Sequence, residues 1–225
     1  MLLPKAKALQ KRLHEGFSQI EIKKSHGYEL GWDDWEEIGR CYYYLRDERA
    51  TEYLRQAALL VAQQRVSTIN PRSSSSLFKH AGDWFYAANL YRLTGDKASM
   101  RACIVKIREL EESPVWIEWS VYVEFYWDLL ALAALMEGDA AQALIYDAKI
   151  AALPKRENPD RPWSGRLAEA IVHADVTAIR ALGDELHALL TRYHGKPWDT
   201  SYLNWWDWYE FSDTLADQLE AQQSF

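Results

Sequence analysis

Six histidines stand at positions 14, 26, 80, 173, 187 and 194. A helical metal site would need a second His or Cys one turn from at least one of them, and none has it. Cys41 and Cys103 form no C-x-x-C, so neither a zinc site nor a disulfide framework is implied, and a reducing compartment suits the chain. Asp33 and Glu36 are spaced for acid and base work on one helix face, yet exposed carboxylates at this spacing ordinarily solvate a surface. The sequence holds no H-E-x-x-H, no Walker glycine loop, no G-x-S-x-G and no G-x-G-x-x-G. It therefore predicts no catalytic residue, no metal and no cofactor, and a chain that is not an enzyme.

Charge narrows the partners. With 33 acidic and 26 basic residues the net charge is -7, which disfavours phosphate backbones and suits a cationic face. The basic residues are dispersed and make no cationic track beside the tryptophans, so nucleic-acid binding is not expected. The most apolar stretch, "WDLLALAALMEGD" at 127–139, is interrupted by Asp128 and Glu137 and is too short for a span of about 20 residues. It reads as soluble core, with no membrane partner. "MLLPKAKALQKRL" turns basic within five residues and lacks the apolar core of a signal peptide, so a cytoplasmic location is expected.

Aromatic residues offer more than titratable ones. Eleven Trp and 13 Tyr exceed what a small core needs, and such side chains are favoured at binding surfaces because they bury area with little rotamer loss. Four of the tryptophans also mark the elements. Trp35 to Asp47, Trp84 to Asp96, Trp127 to Asp139 and Trp163 to Asp175 repeat one twelve-residue interval, each a helical pattern ending where a helix should break. A second amphipathic segment follows each Asp, with stripes such as Met100, Ile104, Ile107 and Ala143, Ile150. The Asp, preceded by Gly in two copies, is placed to cap that second helix.

The first helices resemble the tetratricopeptide repeat, W-x-x-L-G-x-x-Y, through Trp35, Ile38, Gly39 and Tyr42, through Trp84, Ala87, Ala88 and Tyr91, and through Trp127, Leu130, Ala131 and Ala134. The fourth copy keeps only Trp163, Leu167 and Ala170. Successive tryptophans lie 49, 43 and 36 residues apart, where regular copies would hold a period near 34. The expected fold is all-α: one domain over 1–225, an irregular TPR-like array of antiparallel hairpins at about 32–66, 77–112, 119–153 and 163–193. A leading helix at 4–25 and a closing helix at 201–222 flank it. Ser residues of "VSTINPRSSSS" are expected to cap a helix entering at Leu77. Trp35, Trp84 and Trp127 are expected in equivalent buried places.

If the hairpins follow TPR geometry, their first helices line a concave face carrying Glu36, Arg40, Tyr43, Phe85, Asn89, Arg92 and Asp128, and Asp33 belongs to an acidic group at one end. In the closing helix Trp205, Trp208, Phe211, Leu215 and Leu219 form a core face, opposite an acidic stripe of Glu210, Asp213, Asp217 and Glu220 headed by Trp206. These two surfaces are the candidate partner-binding sites.

The segments "DWFYAANLYRLTGDKASMRACIVKIREL" and "WSGRLAEAIVHADVTAIRALGDELHALLTRYHGKPW" are similar to the all-helical immunity proteins of bacterial polymorphic-toxin systems, over about residues 35–198. The resemblance implies a cytoplasmic protein that binds and neutralises one toxin or effector domain through a basic face of that partner. It carries over no functional residue. The alternative is a TPR-type adaptor or chaperone that grips a peptide in its concave groove.

Overall fold

The structure, a computed structural model, describes residues 6–64, 74–111, 121–153, 162–192 and 205–223. The fold is all-α, with ten helices and no strand among the described residues. They are α1 (Ala6–Ser25), α2 (Trp32–Tyr44), α3 (Ala50–Gln64), α4 (Ser74–Leu93), α5 (Lys97–Arg108), α6 (Val121–Glu137), α7 (Ala140–Ala151), α8 (Trp163–Val172), α9 (Val176–Arg192) and α10 (Trp205–Gln223). Helices lie within each of the spans expected for the leading helix, the paired segments and the closing helix. Their outermost expected residues, 4–5, 65–66, 112, 119–120, 193 and 201–204, lie outside the described residues. One boundary moves: α4 begins at Ser74, so Ser74, Ser75 and Ser76 belong to the helix itself, and Ser73 lies outside the described residues.

The four twelve-residue intervals end in one turn geometry. Arg46, Gly95, Gly138 and Ala174 all take the left-handed conformation, at φ 58, 73, 82 and 49°. In each turn the amide of the following Asp donates to a carbonyl five residues back: Asp47 to Tyr42, Asp96 to Tyr91, Asp139 to Ala134 and Asp175 to Ala170. The left-handed residue donates to the carbonyl three back, as Gly95 does to Arg92 and Ala174 to Ile171. This pair of bonds is the Schellman motif, which satisfies the last carbonyls of a helix and turns the chain sharply. Asp96, Asp139 and Asp175 then accept from the amides of Ser99, Gln142 and Ala178 and so cap the second helix as their spacing predicts. Asp47 differs. It accepts from the Arg49 amide and guanidinium, and that pairing holds its carboxyl well below the usual range.

The chain divides into two compact units. The first comprises Met1–Pro71 and Lys79–Glu111. Here α1 packs on α2 and α2 on α3. Gly39 allows the second contact, since a Cβ there would stand 2.8 Å from the Leu54 side chain and 3.0 Å from its backbone nitrogen. Phe17, Trp35, Tyr42 and Tyr53 fill the space around this crossing with ring-to-ring contacts. Met100, Ile104 and Ile107 are buried along α5, as their periodicity predicts, and Cys103 is buried with them.

The second unit comprises Arg72–Phe78 and Glu112–Phe225. In it α6 packs on α7, α7 and α6 both on α8, α8 on α9, and α9 on α10. Every residue from Leu129 to Met136 is buried, which accounts for the apolar run at 127–139 as core. No helix of the described residues is long and apolar enough to cross a membrane. In α10 the buried line is Trp208, Ser212 and Ala216, whereas Phe211, Leu215 and Leu219 are only half-buried, so the expected core face is rotated. The reason is a close helix approach: a Cβ on Gly183 of α9 would lie 3.1 Å from the Ser212 hydroxyl, which places small residues at the contact and swings larger ones outward.

The repeat tryptophans are not equivalent. Trp35 lies tilted against Tyr53 of α3, and Trp127 stacks flat on Tyr146 of α7 with the Lys149 ammonium 4.2 Å from its ring. Trp84 donates to His80 of its own helix. All three are half-buried. Trp163, the least TPR-like by sequence, is the buried one, donating to the Leu182 carbonyl and meeting Trp208 edge-on.

Candidate functional site

The residues expected on a concave face are mostly interior. Phe85 and Asn89 are fully buried, Arg40 is 1% exposed and Glu36 5% exposed. Glu36 and Arg40 stand one turn apart on α2 and form a buried ion pair. The Tyr86 hydroxyl lies beside that pair: burial pushes it well above its ordinary range, Arg40 draws it down and Glu36 adds to the rise. One turn further along α4, Asn89 accepts from Arg92 at 3.0 Å. Charges this deep hold one another, and removing either member of such a pair leaves the other desolvated. Glu36, Arg40, Phe85 and Asn89 are thus enclosed within the first unit. Tyr43 is half-buried, with its ring against Tyr44 and the Arg46 guanidinium over it. Of the expected set only Asp33 is exposed.

In the second unit Asp128 accepts from the Ser164 hydroxyl, joining α6 to the first turn of α8. Burial is the main cause that pushes its carboxyl up to about 6, against the pull of that hydrogen bond, and Asp147 and Glu124 add to the rise. Asp147 meets α8 at Gly165, where a Cβ would collide with its carboxylate. Helix N-termini favour negative charge, which suits both acids to this place. Two carboxylates from two helices therefore meet at the start of a third, with Glu124 one turn from Asp128 along α6. Even so, no group of His, Cys, Asp and Glu among the described residues is placed to hold a metal ion.

The acidic stripe of α10 is tied to its own chain. Arg180 of α9 stands 2.8 Å from Asp217, 2.6 Å from Glu220 and 3.6 Å from Asp213. One guanidinium thus faces three carboxylates and the surface stays acidic, with all four groups well exposed to solvent. Glu210 is half-buried, and the Trp206 side chain lies outside the described residues.

Sequence patterning missed one exposed aromatic cluster among the described residues. Tyr122 and Phe125 of α6 are 36% and 48% exposed, and the Phe78 ring touches both, at centroid distances of 5.7 and 6.0 Å. A three-residue spacing on one face is the only signal the sequence carried, and it is indistinguishable there from a core stripe. Tyr86, Asp147, Ser164 and Arg180 were missed as well, because each gains its role from a helix distant in sequence. Compared with models of known protein families, with curated proteins and with solved structures, the chain matches none.

Proposed function

We propose that the chain is a protein-binding module, and within that class a cytoplasmic immunity protein that binds and neutralises a bacterial toxin domain. The observation that carries the binding reading is the cluster of Phe78, Tyr122 and Phe125, in which Tyr122 and Phe125 are exposed and the half-buried Phe78 ring lies against both. Desolvating such rings supplies a large share of the affinity at protein interfaces. The acidic face around Arg180 complements it, since carboxylates in excess over their cation steer a basic partner toward the surface. The immunity reading adds the resemblance of the hairpin segments to helical immunity proteins. Co-expression tests it. The chain should restore growth to cells producing its cognate toxin domain, sought among the genes beside its own, and should form a complex with that domain when both are purified. Growth arrest undiminished by the chain, with no complex, rejects the immunity reading.

A further inference from the structure

We draw no further inference here: the strongest candidate, the carboxylate cluster of Glu124, Asp128 and Asp147 beside α8, belongs to the site already described, and nothing in the structure points to a ligand for it.

Discussion

The Asp139 amide donates to the Ala134 carbonyl at 2.9 Å, and the same bond closes the turns at Asp47, Asp96 and Asp175. What differs is the residue before the Asp, glycine in two turns and Arg46 or Ala174 in the others, all at positive φ. A side chain there costs about 1 kcal/mol or more in the left-handed region. Ala174→Gly and Arg46→Gly should therefore be neutral to stabilising in urea denaturation, and Gly95→Ala and Gly138→Ala destabilising by about 1 kcal/mol or more. Equal effects of all four would mean that the turns are not equivalent.

Gly39 has no room for a methyl group. A Cβ would press on both the side chain and the backbone of Leu54, so α2 and α3 must part to admit it. Gly39→Ala should cost about 1–3 kcal/mol despite its gain in helix propensity. A variant at least as stable as the parent in thermal unfolding would show that the crossing has slack.

Burial ranks the tryptophans. Trp163→Ala should cost about 3–5 kcal/mol, because Trp163 is enclosed and its indole N–H is bonded to Leu182. Trp35→Ala and Trp127→Ala, at half-buried sites, should cost less. The ordering of unfolding midpoints checks this, and a larger loss at Trp127 than at Trp163 would reverse it.

Asp128 sets a pH dependence whose sign is opposite to that of a salt-bridged acid. Its carboxyl is raised to about 6, above the ordinary value near 3.9 of an unfolded chain. The folded state thus holds a proton that the unfolded state has released, and stability from this group is present below pH about 4 and lost as pH rises through about 6. Asp128→Asn keeps an oxygen to accept from Ser164 and removes the charge. It should be more stable than the parent at pH 7 by about 1–3 kcal/mol, with the difference shrinking toward pH 4. Urea titrations at the two pH values decide it, and a gap that widens on acidification contradicts the assignment.

If the aromatic cluster and the acidic face make the partner contact, their variants should separate kinetically. Phe125→Ser should speed dissociation and cost about 2 kcal/mol of affinity, whereas Asp213→Asn with Asp217→Asn should slow association and flatten its dependence on salt. Stopped-flow binding to the toxin domain, with growth rescue alongside, provides the readout. Both variants binding and protecting like the parent would place the contact elsewhere.

The sequence by itself determined the all-α class, the positions of the helices and the caps of three second helices. Those features are local: an apolar stripe at helical spacing, a left-handed residue and an Asp lie within a few residues of one another, and their geometry follows from backbone hydrogen bonding. Even the fourth hairpin, faint as a TPR copy, closes with the same turn, because Ala174 is forced into the conformation that glycine supplies elsewhere. Only the tertiary structure decided which faces are dry. Glu36, Arg40 and Asn89 have the residue types of a wet surface, yet they lie buried, and α10 turns Trp208, Ser212 and Ala216 inward because Gly183 of α9 admits a close approach. A helix repeats every 3.6 residues whatever surrounds it, so its own sequence proposes a polar face and a partner helix, distant along the chain, settles whether that face meets water.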